Sequence, residues 1–180
     1  MLTDSQRKTL FTLARQSIET ALRMRSQIDS FPDEFLKEAA AVFVTIKIDE
    51  DLRGCIGSVQ AVESLHDAIV HSAYSAAFRD PRFPALSEQE YPLIHLEISV
   101  LSPFRKIEDP EEVNPGVHGV MITRGFHRGL LLPQVAVEYG WDRETFLGYT
   151  CDKAGLPFDA WKDPQTTIEV FTAEVFSEKD

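Results

Sequence analysis

Ala41-Val42-Phe43-Val44-Thr45-Ile46-Lys47-Ile48-Asp49-Glu50-Asp51-Leu52-Arg53-Gly54-Cys55-Ile56-Gly57 is the stretch whose reading decides the fold. Residues 41–48 are β-branched and aromatic, which predicts a strand. Asp49-Glu50-Asp51 is a short polar break, and Leu52 to Val59 reads as the returning strand of a hairpin. A hairpin is antiparallel by construction. Glycines at 54 and 57 weaken the second strand as plain sheet and point to a bulge, or to a close approach of backbone.

Working outward, Thr3 and Gln6 form a capping box ahead of an apolar stripe at Leu10, Leu13, Ala14, Ser17, Ala21 and Leu22, predicting a helix over about residues 4 to 25. A second helical spacing runs from Leu65 to near Asp80, where Pro81 stops it. Its small Ala/Ser face allows close packing on a sheet. Ser87 and Glu90 form another capping box before a short helix, and Ile94 to Leu101 alternates as a strand. Val117 to Thr123 and Leu130 to Leu132 read as a hairpin, Asp142 caps a helix through about residue 154 with Gly155 at the C′ position, and Thr167 to Phe176 is a last strand. Helices and strands do not alternate strictly, so the expected class is α+β: a largely antiparallel sheet flanked by helices, in one domain over residues 1–180.

The chain has 180 residues, 43% of them apolar and twelve of them Phe, enough for a substantial core. With 18 basic and 29 acidic residues its net charge is −11, which disfavours nucleic acid and anionic membranes. No apolar run approaches a membrane span, the N-terminus lacks a signal-peptide pattern, and the two cysteines, Cys55 and Cys151, form no disulfide framework or zinc pair. A cytoplasmic protein without a metal site is expected. GxGxxG, Walker A, HExxH and GxSxG motifs are all absent.

Cys55 is the candidate nucleophile: a thiol gains reactivity where positive charge is near and solvent can reach it, and Arg53 could supply that charge. The other reading is a small buried hydrophobe. His118, in Gly116-Val117-His118-Gly119, is either a proton-transfer partner for Cys55 or a satisfied turn histidine. Arg82, in the rigid corner Asp80-Pro81-Arg82-Phe83-Pro84, can clamp an anion or hold Asp80. Gln134 follows an apolar run and points into a cleft or satisfies backbone groups. His66 and His71, five apart on a helix, make a poor metal pair.

Several segments together resemble the AMME-candidate-region family, whose prokaryotic members are called AmmeMemoRadiSam system protein A. They are Leu52-Arg53-Gly54-Cys55-Ile56-Gly57-Ser58, the hallmark, then Asp80 to Pro84, Leu96 to Pro103, Gly116 to Gly119, Gly129 to Val135, Lys153 to Pro157, and Trp161. The hallmark shows no departure, although the turn before it is Asp49-Glu50-Asp51 where many relatives place a glycine. The resemblance implies a larger and a smaller lobe, with the hallmark facing a groove between them. It implies genomic association with a Memo-type, dioxygenase-like protein and a radical-SAM protein. It brings no established reaction, and the cofactor stays open.

Three readings follow. In the first, the chain is an enzyme with Cys55 as nucleophile, Arg53 and His118 assisting, and Gly54, Gly57, Arg82 and Gln134 lining the binding site for a small anionic ligand. In the second it is an adaptor or binding module for the Memo-type and radical-SAM partners. In the third the hallmark is architectural. The sequence leaves the oligomeric state open.

Overall fold

A computed structural model describes residues 1–179. The fold is α+β, with two four-stranded antiparallel sheets in separate compact units. The first unit comprises Met1–Leu101 and the stretch from Glu174 onward, and the second Ser102–Ala173.

In the first unit, α1 (Asp4–Ala21) and α2 (Leu65–Phe78) cover a sheet in the order β2 (Asp51–Gly57), β1 (Ala41–Ile48), β3 (Ile94–Leu101), β8 (Ala173–Ser177). The Thr3–Gln6 capping box is present in both directions. The helix stops earlier than expected: Arg23 turns to φ 60°, and the Arg23 and Met24 N–H groups bond back to the Thr20 and Glu19 carbonyls. That is a Schellman ending built without the glycine that would signal it. Val42, Val44 and Ile46 pair with Val100, Ile98 and Leu96 across β1 and β3. Val44, Ile46, Leu96 and Ile98 form the floor on which Leu10, Leu13, Ile69 and Ala73 pack. Thr45 and Lys47 point to the opposite face, as strand alternation requires.

The hairpin turn places Asp49 at φ 55°. This left-handed conformation costs a side chain strain that glycine escapes. An Asp49→Gly protein is expected to gain about 0.5 kcal/mol, seen as a rise of about 1–2 °C in melting temperature. An unchanged or lower melting temperature would show that the aspartate already fits.

The second unit has the sheet β4 (Arg105–Ile107), β7 (Thr167–Phe171), β5 (Gly119–Arg124), β6 (His127–Leu131), with α3 (Pro133–Glu138) and α4 (Arg143–Lys153). Val120, Ile122, Ile168 and Val170 pack there against Phe146, Leu147 and Cys151. Asp142 caps α4 through the Thr145 N–H, and Gly155 follows it at φ 73°. The expected final strand is two strands. Residues 167–171 join this sheet and residues 173–177 the other, and at Thr172 the N–H bonds to the Ser102 hydroxyl (2.9 Å). Short β4 and α3 escape sequence reading, although Pro133 occupies the first turn of α3, where proline is favoured. No helix among the described residues is long and apolar enough to cross a membrane.

Candidate functional site

The hallmark is β2, at one edge of the first sheet. Lys47 faces Leu52 and Ile46 faces Gly54, so Arg53 has no partner on β1: it is the extra residue of a β-bulge. Both glycines sit at close approaches. A Cβ on Gly54 would lie 2.1 Å from the Ala76 carbonyl oxygen of α2, and one on Gly57 2.1 Å from the Val42 carbonyl oxygen. The small face of α2, with Ser72, Ala73, Ala76 and Ala77 buried, lets the helix settle that close.

Beyond the bulge Cys55 pairs with Thr45 and shares its face of the sheet, away from α1 and α2. The residue is half-buried, and the Thr45 hydroxyl donates to its sulfur at 3.2 Å. On the same face Glu97 pairs with Thr45 and bonds to the Lys47 ammonium at 3.1 Å. Cys151 lies fully buried in the second unit, where burial pushes its thiol pKa up.

Two arginine–carboxylate pairs frame the strand. Arg53 donates from Nε and Nη2 to Glu90 at 2.8 and 3.2 Å. Glu90 is itself held by the Ser87 N–H and hydroxyl, the expected capping box, at 2.9 and 2.8 Å. The Arg53 pairing, helped by the Ser87 N–H, brings the Glu90 carboxyl down to about 2. Arg82 donates from Nε and Nη2 to Asp80 at 3.0 and 2.7 Å, and its backbone N–H adds a third bond at 3.1 Å. The same Asp80 carboxylate accepts the Cys55 N–H at 2.9 Å, while Arg82 Nη2 donates to the Cys55 carbonyl at 3.3 Å. Asp80 is 1% exposed at its side chain and Arg82 54%. The Arg82 guanidinium holds the Asp80 carboxyl far below the usual range, against the opposing effect of burial. Phe83 lies within cation–π range of both arginines, at 5.9 Å from Arg53 and 5.5 Å from Arg82.

With Lys47 and Glu97, three positive and three negative charges lie around Cys55, and they answer one another. Arg82 reaches the Cys55 carbonyl and its charge also acts on the thiol, whose side-chain hydrogen bond comes from the Thr45 hydroxyl. The outward part of the Arg82 guanidinium is the portion open to an anionic group. Arg53, Gly54, Cys55, Gly57 and Arg82 are all in the first unit, while His118 and Gln134 belong to the second. The His118 ring accepts the Asn114 N–H at 3.2 Å across the Asn114–Gly116 turn. Gln134 is half-buried in the first turn of α3. His66 and His71 pair separately with Asp67 and Glu63, and no cluster fit to hold a metal occurs among the described residues. Sequence reasoning missed Thr45 and Phe83, and took Glu90 only as a cap.

Comparison with known proteins gives a consistent result. A family model described as AMMECR1 matches residues 11–176. A protein of Methanothermobacter thermautotrophicus is 44% identical over 98% of this chain and 96% of its own length. Protein NEQ441 of Nanoarchaeum equitans is 43% identical over 94% of this chain and 98% of its own. The crystal structure of the uncharacterised protein PH0010 from Pyrococcus horikoshii superposes with a TM-score of 0.81 at 40% identity, covering 95% of this chain and 90% of that one.

Proposed function

The chain belongs to the AMMECR1 family, and from that premise we propose that it is a binding module whose hallmark strand presents a rigid surface to a partner or ligand. One observation carries this reading: the two guanidinium groups of the hallmark region are committed, in two-point pairs, to Glu90 and Asp80. A reactive thiolate needs positive charge or a base at sulfur. Here the Arg82 charge that acts on the thiol is answered by the Asp80 carboxylate, and its hydrogen bonds stiffen the backbone at Cys55. The exposed edge of Arg82 supplies a contact for an anionic group, and the Memo-type and radical-SAM proteins of the resemblance are the expected partners.

A second reading keeps Cys55 as a nucleophile, with Arg53 stabilising it, His118 moving protons, and Gly54, Gly57 and Gln134 shaping the substrate site. It is favoured by the incomplete burial of Cys55 and the hydroxyl on its sulfur.

Iodoacetamide kinetics separate the two. In the binding-module reading Cys55 is alkylated no faster than in the urea-unfolded chain, Cys151 reacts only after unfolding, and Cys55→Ser still co-purifies with a Memo-type or radical-SAM partner at micromolar concentration. Native alkylation of Cys55 faster than in the unfolded chain, with no partner retained, would hand the site to the nucleophile reading.

A further inference from the structure

The second unit carries a row of aromatic rings unrelated to the hallmark. Tyr139 stacks on Trp141 with centroids 4.9 Å apart and planes at 17°. Trp141 stacks on Tyr149 at 4.1 Å and 11°, and Tyr149 meets Phe158 edge-on at 5.3 Å. The local chain builds this row deliberately in physical terms. Tyr139 caps α3, and Gly140 at φ 63° reverses the chain so that the Trp141 N–H bonds to Ala136. Asp142 then starts α4, which presents Tyr149. Phe158 rests on Gly148, where a Cβ would stand 2.3 Å from its ring.

These rings do not serve mainly as core. Trp141 touches the hydrophobic core of the unit, yet Tyr139, Tyr149 and Phe158 are 67%, 42% and 50% exposed. A contiguous exposed apolar surface marks an interaction site more often than scattered apolar residues do. Stacking also removes rotamer freedom in advance, so a partner meets a surface already ordered. Ridges of Tyr and Trp suit proline-rich segments, whose extended helix lays flat rings against aromatic faces. Charge narrows the occupant further. Glu138, Asp152 and Asp159 are exposed beside Tyr139, Tyr149 and Phe158, and none forms an ion pair among the described residues. Lys153 and Lys162 are nearby cations that likewise form no ion pair among the described residues, so three carboxylates face two ammonium groups and the rim is net acidic.

We propose that this ridge docks a proline-containing, basic segment of a partner protein. Proline rings lie against the faces and edges of Tyr139, Tyr149 and Phe158, while Arg or Lys side chains reach Glu138, Asp152 and Asp159. The proposal is independent of the hallmark strand, which lies in the other unit.

The test is selection of a random dodecamer phage library on the full chain, counter-selected on a Tyr139→Ala/Tyr149→Ala protein. Enriched sequences are expected to carry proline with Arg or Lys. As synthetic peptides they should bind at least tenfold more weakly to the double variant and at least threefold more weakly to Asp152→Lys, at unchanged melting temperature, and bind less tightly as salt rises. Where the double variant does not fold, Tyr139→Ala alone at its exposed helix cap serves instead. The proposal is overturned if no sequence is enriched, if the enriched peptides are acidic or lack proline, or if they bind the variants as tightly. Self-association that the double variant abolishes would likewise overturn it, by assigning the ridge to a second copy.

Discussion

A Gly54→Ala protein is expected to lose about 3 kcal/mol or more of stability, a drop of about 6–12 °C in melting temperature. The added methyl would stand 2.1 Å from the Ala76 carbonyl oxygen and 3.0 Å from its carbon. Those atoms belong to the backbone of α2, so no side-chain rotation relieves the clash. The helix must lift from the sheet, which opens the contacts that Ala73 and Ala76 make with the floor of the core. Overpacking of a close-packed interior costs this much where the obstacle is rigid. Circular dichroism melts measure it, and a shift of under 2 °C would mean that α2 moves freely. Cys55→Ser is the companion control, because it changes one atom on the opposite face and leaves the helix contact alone.

Asp80→Ala is expected to cost about 3 kcal/mol. The substitution strands the Cys55 and Arg82 N–H groups and releases the Arg82 guanidinium. The loss stays near the lower end for a broken buried pair because Arg82 is 54% exposed and water can take it up. Acid gives a second readout. The Asp80 carboxyl titrates lower in the folded chain than in the unfolded one, so the unfolded state binds the proton first as pH falls. Its stabilisation is complete above the ordinary aspartate value of about 4 and fades below it. The stability gap between wild type and Asp80→Asn should therefore hold from pH 8 to 5 and narrow progressively below about pH 4. A gap that does not change with pH would mean the carboxylate charge contributes nothing.

Much of the scaffold is legible in sequence because its signals are local. The strands over residues 41–48 and 94–101 follow from alternation, and the helix after Asp142 follows from its cap and the glycine behind it. The site is less legible, and the bulge explains why. Counting back from the turn along a regular hairpin would set Arg53 opposite Ile46 and Cys55 opposite Val44, on the core face. The extra residue shifts the register by one, so Cys55 meets Thr45 on the other face. The glycines hint at a bulge without saying which side of it the cysteine falls on. Arg53 and Glu90 are joined across 37 positions, a distance at which no spacing rule operates. For Arg82 the sequence offers both an anion clamp and a hold on Asp80, and the structure shows the hold.

The corner at residues 80–82 has one more consequence. A strand at the rim of a sheet offers unpaired N–H and C=O groups to any extended chain that drifts by. At Cys55 both positions are already taken, the N–H by a carboxylate oxygen of Asp80 and the carbonyl by the Arg82 guanidinium. Two side chains thus imitate the backbone of a missing neighbour for the length of one residue. Together with the kink at Arg53, they make the hallmark strand a poor template for strand exchange or fibril growth, so that it can stay partly open to water without recruiting copies of itself.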